Sequence, residues 1–374
     1  MTDGRFSLKD HLFNPERVAY LGSLLEVGVP GFDKREFESE VVARLPDLEL
    51  KQRIDMIADV LAAHLDDDFE VAADQIRASL PPPLDPTLSD NDFGDFILIP
   101  LGKYVEDRGG DHYDISMGLL REITMRVSME GPVRRFIDDR PETTLLLFAD
   151  WARDENYHVR RLVSESTRPR LPWARRIHLD LEAPLALLDV LYPDPTRYVT
   201  RSVANHLNDI AKERPEIVVE TLRRWRDTGM QDPSELRWMT RHALRTLIKQ
   251  GDSASLALLG YDDDPDIRTV LSVLTPTVRA ARALEFTVTI TALSGQRLLV
   301  DYIIDFATNK GASRSKVFKL RELSMTDGEV ITLKKRHPLR PDATTYRLYP
   351  GTHRLTVVAN GREIARDQFE VVFN

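Results

Sequence analysis

HVRRLV at 158–163, YVTRSV at 198–203 and WMTRHA at 238–243 align without gaps at a spacing of 40 residues. A period of about 40–47 residues is that of a HEAT-type helix pair, which cannot bury its apolar face alone and so stacks on its neighbours. Within the copies apolar residues recur at helical spacing. Val199, Val203, Leu207 and Ile210 form one such stripe, suited to burial against a partner helix. Arg121, in LLREITMRV, falls one period earlier. The register predicts a helical solenoid through the middle of the chain.

The same register sorts the polar positions. Arg161, Glu165 and Arg168 lie at i, i+4 and i+7, on one face of a helix. Their equivalents are Arg201, Asn205 and Asn208 in the next copy, and Arg241, Arg245 and Ile248 in the one after. Stacked repeats would set these in adjacent rows, an arginine-rich surface with one carboxylate, Glu165. Arg160, Arg170 and Lys249 add to the basic set. Such a surface suits DNA phosphates, because the guanidinium offers a fork of donors and the Asn amide donates as well. For any single arginine the alternative is an ion pair that only ties the repeats together. Nothing in the pattern points to base-specific readout.

Outside the repeats the chain keeps its helical period on one side and loses it on the other. Residues 1 to about 80 place Val18, Leu21, Leu24 and Leu25, then Ile54, Ile57, Val60 and Leu61, at helical spacing until Pro81-Pro82-Pro83. Between about 95 and 280 the helical pattern is broken by short turns such as Glu130-Gly131-Pro132 and Gly251-Asp252. After about 283 the period drops from 3.6 to 2, in LEFTVTITAL, QRLLVDYIIDF, HRLTVVANG and REIARDQFEVVF. Asn360-Gly361 between two of these runs is a hairpin signal. About seven short strands in the last 90 or so residues fit a small antiparallel sandwich. The expected division is an α-solenoid over 1–282, with an acidic helical start over 1–94, and a β-sandwich over 283–374.

Composition bounds the rest. With 374 residues, 42% hydrophobic and 30% charged, the chain is an ordinary globular one. The absence of cysteine excludes disulfides, thiolate nucleophiles and cysteine-bound zinc, and nine scattered histidines without His-Glu-x-x-His leave little for another metal site. No apolar run approaches a membrane span, and MTDGRFSLKDHL has no signal-peptide core, so a cytoplasmic location is expected. The net charge of −9 is unevenly spread: residues 1–100 hold 9 Lys and Arg against 21 Asp and Glu, and residues 101–374 hold 42 against 39. Seven arginines fall within 153–176. The acidic total is therefore compatible with a basic surface in the middle.

DWARDENYHVRRLVSESTRPRLPWA at 150–174, with SVANHLNDIAKERP at 202–215 and HALRTLIKQGD at 242–252, resembles the AlkC branch of the AlkC/AlkD family of HEAT-like-repeat DNA glycosylases. The match covers roughly 110–260, and the β-rich tail is similar to the immunoglobulin-like domain of some AlkC members. The resemblance implies excision of cationic alkylated bases, 3-methyladenine and also 3-methylcytosine, from duplex DNA without base flipping. It implies a site in which carboxylates and a tryptophan surround the deoxyribose. The matching positions are Glu130, in SMEGP, Glu165, and Trp173, in RPRLPWA, with Arg161 holding the backbone nearby. Duplex DNA is then the expected partner, with no cofactor, no metal and no obligate protein partner, and a monomer is expected.

Other readings stay open. Each of the three site residues has a structural alternative: an ion pair for Glu165, a cap for Glu130 and a packing anchor for Trp173. The whole chain could be a non-catalytic scaffold that binds DNA structures or a protein. A β-lyase needs a nucleophilic lysine, and residues 104–211 contain none. In the tail, Lys310, Arg314, Lys316 and Lys319 fall in one expected loop, and Lys334, Lys335, Arg336, His337 and Arg340 in another. These loops either close on the duplex, with Lys316 and Lys335 contacting DNA, or belong to a cap that stabilises the solenoid.

Overall fold

The fold comes from a computed structural model that describes residues 6–87, 93–308, 313–341, 343 and 346–373. The chain divides into two compact units, Met1–Ile210 with Gly229–Met239 and Ala211–Thr228 with Thr240–Asn374.

The first unit is helical. It opens with helices Leu8–Leu12, Pro15–Gly28, Lys34–Arg44, Leu50–His64 and Phe69–Ala78. Part of the acidity of this segment is local chemistry. The Asp33 and Asp68 side chains accept hydrogen bonds from the first-turn N–H groups of Glu36 and Glu70, where a carboxylate also favours the positive end of the helix dipole. Leu21, Leu25, Phe37, Val41, Ile57, Leu61 and Ile76 fill the core between these helices.

The 40-residue register is realised as helices Tyr157–Ser166, Arg197–Ile210 and Pro233–Ala243. Its equivalent positions behave alike: Val159, Val199 and Met239, and again Val163, Val203 and Ala243, are all fully buried. Helix Tyr157–Ser166 packs along helix Arg197–Ile210. An irregular segment, 167–184, separates Tyr157–Ser166 from helix Leu185–Leu191 and carries RPRLPWA.

The second unit holds helices Pro215–Thr228, Arg245–Gln250 and Ser253–Leu258 and a two-layer β-sandwich. Its strands are β1 (Ile267–Val273), β2 (Thr277–Arg279), β3 (Ala283–Ala292), β4 (Gln296–Ala307), β5 (Ser313–Met325), β6 (Val330–Pro338), β7 (Gly351–Ala359) and β8 (Arg362–Val372). One sheet runs β1-β3-β6 and the other β2-β8-β7-β4-β5, antiparallel except where β2 lies parallel to β8. Phe286, Val288 and Ile290 from the first sheet pack with Val300, Tyr302, Ile304, Val357 and Phe369 from the second. Asn360 and Gly361 take φ of 50° and 80° between β7 and β8, as a two-residue hairpin turn requires.

Two expectations change. Strands begin at Ile267, ahead of the boundary placed at 283, and β1 escapes the alternation because Val270 on its outer side is 64% exposed. Most residues of the basic clusters are not in loops: Arg314, Lys316 and Lys319 lie on β5, and Lys334, Lys335, Arg336 and His337 on β6, while Arg340 lies beyond the end of β6. Long cross-strand pairing, β4 with β5 and β3 with β6, carries the ladders through these charges. Lys310 lies outside the described residues. Among the described residues no helix is long and apolar enough to cross a membrane.

Candidate active site

A cavity of about 380 Å³ opens in the first unit. Its apolar wall includes Ile54, Phe93, Phe96 and Tyr198, and Glu130, Arg161 and Trp173 complete it. That volume lies in the range of small-ligand clefts.

Arg161 organises the polar side. Its guanidinium pairs with the Glu130 carboxylate, stands 3.5 Å from Glu165, and donates to the Ser128 hydroxyl at 2.8 Å. It also lies 5.0 Å from the Tyr198 ring centroid, within cation–π reach. Burial alone would lower the Arg161 pKa, but Glu130 and Glu165 outweigh it and raise it, so the charge is fixed.

Glu165 is 5% exposed and is not among the residues that line the cavity. It accepts hydrogen bonds from Arg168 at 2.5 Å and from the Ser202 hydroxyl at 2.6 Å. Arg168 is held in turn by Asp209 at 2.8 Å. Burial pushes the Glu165 pKa up, yet Arg161 and Arg168 pull it below the usual carboxylate value, so Glu165 stays ionised. Glu130 sits in the loop before helix Val133–Asp139 with its side chain 30% exposed, and it accepts from the Ser128 hydroxyl at 2.9 Å.

Trp173 is 67% exposed and has φ of 68°, a left-handed backbone rarely adopted by a bulky residue. Leu171-Pro172-Trp173-Ala174 follows the pattern of a type II turn, with tryptophan where glycine is favoured. It is thus no packing anchor.

The arginine stripe divides. Arg160 is tied to the buried Asp194 at 2.5 Å, and Arg168 to Glu165 and Asp209, so both are engaged inside the protein. Arg201 and Asn205 are half-buried, Asn208 is buried and Arg170 is exposed. In the second unit Arg241 is bound by Glu322 of β5 at 2.8 Å, Arg245 donates to the His242 carbonyl, and Lys249 is exposed. Lys316 and Lys335 are half-buried on their strands, with the Lys335 ammonium 5.7 Å from the Tyr302 ring centroid.

Several cavity residues escape the repeat register because they come from elsewhere in the chain. Tyr198 is legible only as a repeat position, although it faces Arg161. Lys51, Asp55, Lys103 and Glu106 also line the cavity, and their helical spacings read as ordinary surface ion pairs. Lys103 corrects the lysine argument: the gap at 104–211 says nothing about a lysine brought in from an earlier helix. Burial lowers the Lys103 pKa, but its ion pairs with Asp107 and Glu106 raise it overall, which keeps the amine protonated and a poor nucleophile. Burial raises Glu106 and Asp55.

Comparison with known proteins agrees with this architecture. Residues 268–373 match the family model described as the C-terminal Ig-like domain of the uncharacterised protein YhaZ. The chain is 31% identical over 355 residues to the uncharacterised protein YhaZ of Bacillus subtilis (strain 168), covering 94% of this chain and 95% of that protein. Its structure matches that of Pseudomonas fluorescens alkylpurine DNA glycosylase AlkC bound to DNA containing an abasic site analog. That match has a TM-score of 0.84 and 33% identity, and covers 98% of this chain and 100% of the other. A helical region with the AlkC architecture, followed by an immunoglobulin-like sandwich, makes this chain a member of the AlkC/YhaZ family.

Proposed function

We propose that this protein is a monofunctional DNA glycosylase that hydrolyses the N-glycosidic bond of cationic alkylated bases in duplex DNA, 3-methyladenine and 3-methylcytosine among them. The carrying observation is one guanidinium, Arg161, that links two carboxylates, Glu130 and Glu165, beside a cavity with an exposed tryptophan, Trp173. Relationship to a DNA glycosylase supports the same reading.

A cationic base leaves with the bonding electrons and becomes neutral, so departure needs little protonation and neither metal nor cofactor. Positive charge then develops on the sugar, as in glycoside hydrolysis. A DNA phosphate competes with the carboxylates for Arg161, leaving Glu130 in the cavity wall to face that charge, while Glu165, still held by Arg168 and Ser202, acts on it from its buried place beside Arg161. One stabilises the oxocarbenium-like sugar, and the other both orients a water that adds to C1′ and accepts the proton that this water loses. Trp173 excludes bulk water and adds cation–π attraction of about 1–2 kcal/mol. Arg170, Arg201 and Asn205 lie within reach of solvent for backbone contacts in the first unit. Lys249, Lys316 and Lys335 of the second remain candidates for further DNA contacts. The enzyme acts as a cytoplasmic monomer, and the lesion stays within the duplex stack.

Incubation with an N-methylated duplex, followed by mass detection of free base, tests the reading. Released 3-methyladenine and 3-methylcytosine with an intact DNA backbone are expected. Tight binding without release would contradict the enzyme and favour a scaffold.

A further inference from the structure

The segment that carries Trp173 has no helix or strand of its own to hold the tryptophan in place. It is irregular from 167 to 184, and the Ala174 N–H reaches the Leu171 carbonyl only at 3.4 Å. The indole is mostly exposed, so packing cannot fix it, and the left-handed backbone at Trp173 would relax if nothing opposed it.

Helix Val133–Asp139, which begins just after Glu130, presents two side chains to this segment at i and i+4. Arg134 is fully buried and donates to three backbone carbonyls: Nε to Arg175 at 2.7 Å, and Nη1 to Ser166 at 2.8 Å and Arg168 at 2.9 Å. Asp138 accepts from the His178 N–H at 2.8 Å and pairs with the Arg175 guanidinium at 3.2 Å. Together they grip the segment on both sides of Trp173. A planar fork reaching several carbonyls is geometry that lysine cannot copy. The grip comes at an electrostatic cost: burial lowers the Arg134 pKa to about 10, and its Nη2 has no hydrogen-bond partner among the described residues. A buried guanidinium so placed is hard to explain by stability alone.

We propose that Arg134 and Asp138 are positioning residues, which act through the 166–178 backbone to hold Trp173 in its turn beside the cavity. They touch no reacting atom. The role of Trp173 in base release rests on the glycosylase reading above, whereas the hold on the segment does not.

Limited trypsin digestion of the full chain tests the hold directly, because Arg170 and Arg175 within the segment are exposed. With Arg134→Lys, cleavage after these residues should accelerate at least about tenfold, and more than the accompanying fall in melting temperature accounts for, while far-UV circular dichroism still shows the folded protein. Asp138→Ala should accelerate cleavage after Arg175, and it carries the same decision if Arg134→Lys does not fold. In single-turnover base release, Arg134→Lys should be slower with DNA affinity retained, and Arg134→Lys/Trp173→Ala should be no slower than Trp173→Ala. Wild-type cleavage rates in folded Arg134→Lys and Asp138→Ala would overturn the proposal, as would losses that multiply in the double variant. If wild type releases no base, the glycosylase reading fails and the digestion still decides the brace.

Discussion

The Ser202 hydroxyl donates a 2.6 Å hydrogen bond to the Glu165 carboxylate from 37 residues further along the chain. Two successive repeats therefore share one buried ionised group. Ser202→Ala should remove about 1.5–3 kcal/mol of stability, the range for a hydrogen bond to a charged group. Because the folded-state pKa of Glu165 is depressed, its contribution is present above the unfolded pKa and is lost as pH falls through the folded value. The substitution weakens that depression, so the loss should begin at higher pH. Urea denaturation at a series of pH values, on wild type and variant, checks both statements.

Arg168 and Arg170 should separate cleanly although both belong to the basic sequence pattern. Arg168→Ala leaves Glu165 and Asp209 buried without their shared partner, and destabilisation of about 3–5 kcal/mol is expected. Arg170→Ala should leave stability unchanged and reduce the slope of log K against log salt by about 1 if the side chain meets a phosphate. Denaturation and DNA titration at several salt concentrations distinguish the two.

His206 supplies a pH dependence of opposite chemical origin. It is fully buried, its Nδ1–H donates to the Ser164 carbonyl at 3.0 Å, and burial holds its pKa down at about 4 against the ordinary 6.5. Between those values the unfolded chain binds a proton that the native protein refuses. Stability should therefore fall as pH drops from 6.5 towards 4, and His206→Asn should flatten this part of the profile. An unchanged slope in the variant would assign the acid sensitivity elsewhere.

Gly361 should tolerate no side chain. Its φ is 80°, and an added Cβ would lie 2.6 Å from the Gly251 carbonyl oxygen and 2.7 Å from the Gly251 Cα. Gly361→Ala is expected to destabilise the second unit by more than the roughly 1–2 kcal/mol that a left-handed alanine costs by itself. Chemical denaturation followed by near-UV circular dichroism gives the value.

Much of the helical architecture was legible because the register falls on buried positions. Val159, Val199 and Met239 repeat in sequence because each fills the same place in a helix. The sandwich was legible from β3 onward for the same reason, since Phe286, Val288 and Ile290 alternate inward. β1 was not, because its outer Val270 is apolar and exposed. Glu165 was picked out as the lone acid among arginines, but its burial behind the cavity could not be foreseen. The wall made by Lys51, Asp55, Lys103 and Glu106 was invisible, because ion-paired spacings on amphipathic helices look the same whether or not a cavity lies beside them. The internal pairing of Arg160 with Asp194 was hidden too, since their meeting depends on tertiary packing across 34 residues.

The most direct test is single-turnover release of 3-methyladenine from a methylated duplex by wild type and Glu165→Gln, with DNA affinity and melting temperature measured alongside. Loss of a preorganised charge should slow release by about 10²–10³-fold. Affinity should change by less than about threefold, since in the proposed mechanism Glu165 acts on the sugar cation and not on the bound duplex. Release at the wild-type rate by a folded Glu165→Gln variant would contradict the account.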